Sequence, residues 1–105
     1  MVRLPIYVVY TTEEYDEWVA SESLVSQRIV AERLQKITWD GHFGDVKPIG
    51  DGVSEMRWAN GRRVYYVLVP ERNMLLLLGG YKNGQKKDIK RAKKICEKYS
   101  CRVED

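Results

Sequence analysis

Residues 53–78 constrain the fold more than any other part of the chain. Val53–Trp58 alternates, with Met56 and Trp58 on one face and Val53, Glu55 and Arg57 on the other. Asn60-Gly61 comes next, the dipeptide favoured by a two-residue type I′ hairpin turn, whose central positions both need positive φ. Arg62–Val69 returns from it, placing Arg63, Tyr65 and Val67 on one face and Arg62, Val64, Tyr66 and Leu68 on the other. Pro70-Glu71-Arg72-Asn73 makes the next turn, and Met74–Leu78 is apolar throughout, as a strand buried on both faces requires. These residues predict a three-stranded antiparallel meander.

The flanks are mixed. Arg3–Tyr10 is β-branched and aromatic, and Pro5 makes it an edge strand or one that begins after the proline. Thr11 and Glu14 fit a capping box opening a helix that buries Tyr15, Trp18 and Val19. Ser21 or Ser23 caps a second helix, with Val30, Leu34 and Ile37 at helical spacing and Asp40-Gly41 as its end. Gly79-Gly80 reads as a strand break. Gln85–Tyr99 then predicts a helix with Ile89, Ala92, Cys96 and Tyr99 along one side. The expected fold class is α+β: strand, helical hairpin, three-stranded antiparallel meander and C-terminal helix, with the helices on one side of the sheet. At 105 residues the expectation is a single domain, 1–105. Met74–Leu78 is far shorter than the ~20 apolar residues of a membrane span. With no small-residue cleavage site near the N-terminus, a cytoplasmic location and no membrane partner are expected. Cys96 and Cys101 are expected to be structural thiols rather than a disulfide or a metal site.

The net charge of +3 conceals an asymmetry, −3 over residues 1–40 and +5 over residues 82–105, which suits an anionic partner. Most catalytic apparatus is excluded. His42 is the sole histidine, and there is no phosphate-cradling Gly-Lys loop, dinucleotide fingerprint or metal-spaced carboxylate set. No cofactor and no metal are expected. Cleavage of RNA through its own 2′-hydroxyl needs neither. It requires orientation, stabilisation of the extra charge on the phosphorane, and movement of two protons. Arg57, Arg63 and Lys82 are the candidate catalytic cations, with a lysine or tyrosine of lowered pKa to assist the protons. The plainer reading is that arginines on this hairpin keep a sheet face soluble, in which case Arg63 adds little to the core. Tyr65, Tyr81 and Trp58 are candidates for base stacking or for simple packing.

Five segments run Gly44-Asp45-Val46-Lys47-Pro48-Ile49-Gly50, Val53-Ser54-Glu55-Met56-Arg57, Arg62-Arg63-Val64-Tyr65-Tyr66, Gly79-Gly80-Tyr81-Lys82 and Asp88-Ile89-Lys90-Arg91-Ala92. In order and spacing they resemble the phage-derived Gp49-like killer-protein branch of the RelE/HigB/ParE toxins. The resemblance implies a toxin of a type II toxin–antitoxin pair that cleaves messenger RNA, often on the ribosome, and inhibits translation. It also implies a helix-turn-helix antitoxin encoded nearby as partner. By position, Arg63 matches the arginine that binds the scissile phosphate in RelE-like members, Arg57 a basic residue on the preceding strand, and Lys82 the basic residue after the glycine. Lys47, Tyr65, Tyr81 and Lys86 are the candidate RNA contacts. Glu55 stands where RelE itself has a second lysine, and Arg62 replaces an aromatic. The tyrosine near the start of the last helix has no counterpart, Tyr81 being a nearby substitute, so the general base is unassigned. Two alternatives stay open: a non-enzymatic, ParE-like inhibitor of DNA gyrase, and an inactive phage remnant.

Overall fold

The computed structural model describes residues 2–99. Strand β1 (Val8–Thr11) is followed by helices α1 (Glu13–Ser21) and α2 (Leu24–Asp40). Strands β2 (Val46–Gly50), β3 (Val53–Arg57), β4 (Arg62–Val69) and β5 (Asn73–Tyr81) come next, then a single 3-10 turn and helix α3 (Gln85–Lys98). The five strands form one sheet in the order β1-β5-β4-β3-β2. β2 to β5 form an antiparallel meander, and β1 pairs with β5 in parallel.

The expected elements are all present, with one addition. β2 lies at an edge of the sheet, where Pro48 is tolerated at a register shift and its missing N–H costs little. Thr12, rather than Thr11, caps α1. Its hydroxyl accepts from Tyr15 N at 3.0 Å and donates to the Leu77 carbonyl at 2.8 Å, tying the helix start to β5. Ser23 caps α2, and Gly41 ends it in the left-handed region at φ 67°.

The β3–β4 connection differs from the type I′ turn expected of Asn60-Gly61. Gly61 N donates to the Trp58 carbonyl and Gly61 alone takes positive φ, 96°, while Asn60 Oδ1 accepts from Arg62 N. This is the three-residue loop in which a turn is closed by one left-handed glycine. Consecutive positive φ values occur instead at Glu71 and Arg72, between β4 and β5, and at Gly50, Asp51 and Gly52, where β2 turns into β3.

The helices cover both faces of the sheet, which corrects the one-sided packing expected. On one face Tyr15 of α1 and Val30 and Ile37 of α2 meet Met56, Val64, Tyr66, Met74 and Leu76. On the other, Ala92, Ile95 and Cys96 of α3 meet Val53, Tyr65, Val67, Leu77 and Leu78. The period-2 alternation of β4 therefore separates two cores rather than a core from solvent. Cys96 is buried in the second; Cys101 lies outside the described residues.

Gly79 and Gly80 do not break a strand. They continue β5, opposite Val64 and Arg63. A Cβ on Gly79 would stand 2.1 Å from the Trp18 ring, and one on Gly80 would stand 2.1 Å from an Asp88 carboxylate oxygen. The glycines let α1 and α3 approach β5 from opposite sides. Gly79→Ala is expected to destabilise the protein by about 1–3 kcal/mol, since a fused ring in contact with β5 cannot rotate away as a flexible chain end does. Urea unfolding tests this, and a variant as stable as the wild type would mean that Trp18 repacks freely.

Candidate active site

The cation site is built at one end of the meander. Arg57 and Arg63 are direct cross-strand partners, and Arg63 in turn pairs with Gly80. Lys82 follows the end of β5 and donates its backbone N–H to the Gly61 carbonyl at 2.8 Å. The three expected catalytic residues thus share one end of the sheet. Arg57 and Arg63 also share the α3-covered face, because directly opposed residues point the same way.

Their environments differ sharply. Arg63 is 8% exposed, and its Nε lies 3.4 Å from Oε1 of Glu55, which has no exposed surface. Arg63 Nη1 donates to the Arg62 carbonyl at 3.2 Å. The second carboxylate oxygen of Glu55 accepts from Gln85 Nε2 at 2.7 Å, pinning the head of α3 over β3. Arg63 is therefore not the solvent-facing strand arginine expected; it is half of an interior ion pair. The Tyr65 hydroxyl is buried in the same cluster of polar atoms, beside the Glu55 carboxylate. Burial raises the Tyr65 hydroxyl pKa, with the Glu55 and Asp88 charges adding to it. Tyr65 consequently offers no stacking face, and of the two readings considered for it the structure shows packing; its hydroxyl pKa is raised rather than lowered. The Asp88 carboxyl is also raised, by burial first, with Arg91 and Lys87 drawing it back.

Arg57 meets solvent. Its Nη2 and Nε lie 3.2 and 3.3 Å from the two carboxylate oxygens of Asp45, with side chains 33% and 61% exposed respectively. Behind this pair stands Arg33 of α2. It donates from Nε to the Phe43 carbonyl at 3.0 Å, from one terminal nitrogen to the Asp45 carbonyl at 2.6 Å, and from the other to the Arg57 carbonyl. The guanidinium lies 4.5 Å over the Trp58 ring. Gly44 leaves the necessary room, since a Cβ there would come within 3.1 Å of Arg33. Burial lowers the Arg33 pKa and Asp45 opposes that shift. A cleft of about 370 Å³ opens beside Asp45, lined by Arg33, Lys36, His42, Phe43 and Trp58. His42 is exposed at its wall.

The remaining candidates divide. Lys47 is exposed on β2 opposite Glu55, so it belongs to the Arg57 face, and Lys86 is exposed in the first turn of α3. Tyr81 does not join them. It pairs with Arg62, and its hydroxyl donates to Glu22 on the α1–α2 side. Glu22 also accepts from Ser26 Oγ at 2.8 Å, and Ser26 Oγ accepts from Arg62 Nε at 3.0 Å. The adjacent arginines of β4 are thus each bound inside a different face. Arg33, Asp45 and Gln85 were missed from sequence. For Arg33 a signal existed: it falls between Val30 and Ile37 on the apolar stripe of α2, where a charge needs a buried partner.

The arrangement of sheet and helices is that of the RelE toxins. The free E. coli RelE toxin, in a mutant form, superposes with a TM-score of 0.68 at 13% identity over 86% of this chain and 98% of that one. The intact E. coli RelBE toxin–antitoxin complex gives 0.61 at 13% identity, covering 71% and 95%. The RelBE2 toxin–antitoxin complex of Mycobacterium tuberculosis gives 0.60 at 16% identity, covering 71% and 96%. Sequence narrows this to a family. The model of the phage-derived protein Gp49-like family (DUF891) matches residues 22–100, and the chain belongs to that family. A Haemophilus influenzae relative, described as an uncharacterized protein, is 33% identical over 93 residues, 85% of this chain and 92% of the relative. The resemblance carried by the five segments is borne out.

Proposed function

We propose that this protein is the toxin of a toxin–antitoxin pair and an endoribonuclease that cleaves messenger RNA, in association with the ribosome, to stop translation. The observation that carries the reading is the convergence of Arg57, Arg63 and Lys82 at one end of a RelE-type sheet, with Arg57 open to solvent. Similar folds crystallised as toxin–antitoxin complexes support an antitoxin partner, here a helix-turn-helix protein encoded nearby. In the reaction the ribose 2′-oxygen forms a bond to phosphorus as the bond to the 5′-oxygen breaks. The products are a 2′,3′-cyclic phosphate and a 5′-hydroxyl, which takes up the proton. Arg57 and Lys82 supply charge-assisted donors to the phosphorane oxygens. Arg63 acts from behind, holding β3, β4 and α3 together through Glu55. Lys47 and Lys86 flank the site and contribute salt-dependent attraction to neighbouring phosphates.

Induced without its antitoxin in a bacterium, the protein is expected to arrest growth through loss of translation. Transcripts from arrested cells should show new 5′ ends by primer extension, and purified protein added to ribosome-bound messenger RNA should generate the same ends. Continued growth while folded protein accumulates would overturn the toxin reading. Arrest with intact transcripts and loss of gyrase supercoiling would replace the nuclease with a gyrase inhibitor.

A further inference from the structure

We infer that Asp45 is the resident counter-anion of the phosphate site: its carboxylate occupies the Arg57 fork where an RNA backbone phosphate binds, and the incoming phosphate displaces it. This rests on the reading above for the identity of the anion. The geometry is that of a replaceable ligand. Both contacts from the Arg57 fork to Asp45 are long, 3.2 and 3.3 Å, and Asp45 is mostly exposed. A guanidinium fork receives a carboxylate and a phosphate in the same planar, two-pronged way. The backbone around the pair is held firmly. Arg57 N donates to the Asp45 carbonyl at 2.9 Å, and Arg33 binds the carbonyls of Phe43, Asp45 and Arg57. Exchange therefore needs only the Asp45 side chain to rotate into solvent while the fork stays in place.

The neighbouring pair makes the contrast. Glu55 has no exposed surface, so a phosphate that took Arg63 from it would strand a carboxylate in the interior. Of the two cross-strand arginines, Arg57 is the one free to change partners. Asp45 then sets the threshold for RNA: it keeps the fork oriented when empty and competes with every anion that enters.

Asp45→Asn removes the competing charge. It is expected to tighten binding of a 2′-O-methyl RNA oligonucleotide, which has no attacking hydroxyl, by about fivefold at low salt and less at high salt. The same fold-change should appear in KM on cleavable RNA. Asp45→Glu, which restores the anion, should return the affinity towards wild type. Titration with inorganic phosphate, followed by the Arg57 Nε–Hε NMR signal, reads the exchange without any RNA. Unchanged or weaker binding by Asp45→Asn would overturn the proposal, as would a fall in kcat at constant KM, which would assign Asp45 to proton transfer. If RNA is never cut but phosphate still shifts the Arg57 signal, more readily in Asp45→Asn, the anion site stands and the nuclease reading alone fails.

Discussion

Arg63→Ala is expected to lower stability by about 3–5 kcal/mol, the cost of removing one partner from an interior ion pair. Glu55 would be left wholly buried without its cation, although Gln85 still donates to its carboxylate. A domain of this size is stable by roughly 5–15 kcal/mol, so the loss takes a large share of the total. The diagnostic comparison is with a double replacement, Glu55→Met together with Arg63→Leu. Removing both charges eliminates the desolvation cost that the pair had to offset, so the double variant should be more stable than Arg63→Ala alone. Urea midpoints at constant slope measure both. A loss below about 1 kcal/mol for Arg63→Ala would show that the pair is reached by water. It follows that loss of toxicity in Arg63→Ala says little about phosphate binding, because much of the effect arrives through the fold.

That outcome was not legible in the sequence, and the reason is local. The alternation of β3 and β4 assigned every side chain to the correct face, because the period of 2 holds whatever lies above the sheet. What covers a face is decided elsewhere. Glu55 and Arg63 look like surface residues until α3 is laid over them, and their charges cancel only in the register that sets Glu55 opposite Tyr65 and Arg63 opposite Arg57. The glycines misled in the same way. Gly79-Gly80 carries the local signature of a break, yet the absent side chains make room for Trp18, distant in sequence, and for Asp88 on the following helix. Val46–Gly50 is short and contains proline, and it becomes a strand through pairing with β3. The helical hairpin, the meander and the last helix were legible because capping residues and apolar spacing act within a few positions. In the site, the shared end of Arg57, Arg63 and Lys82 followed from hairpin geometry. The carboxylates that restrain the two arginines depended on loop and register details that no short motif encodes.

Arg57 separates chemistry from stability where Arg63 cannot. Arg57→Ala is expected to slow RNA cleavage about 100-fold or more, near 3 kcal/mol, the typical cost of losing one preorganised donor to a developing negative charge. Its effect on unfolding should stay within about 1 kcal/mol, because the pair it breaks with Asp45 is substantially exposed and screened by solvent. Arg57→Lys should recover only part of the rate, since it restores the charge but offers a point donor in place of a planar fork. Lys82→Ala should act in the same direction as Arg57→Ala. Lys94→Ala, on the exposed surface of α3, should weaken RNA association slightly and only at low salt. Single-turnover cleavage rates and urea unfolding on the same preparations distinguish these effects. An Arg57→Ala protein that cuts at the wild-type rate would remove Arg57 from the site, and the Asp45 exchange would lose its role in RNA cleavage. An Arg57→Ala protein as unstable as Arg63→Ala would mean that the exposed pair carries structural weight its geometry does not predict.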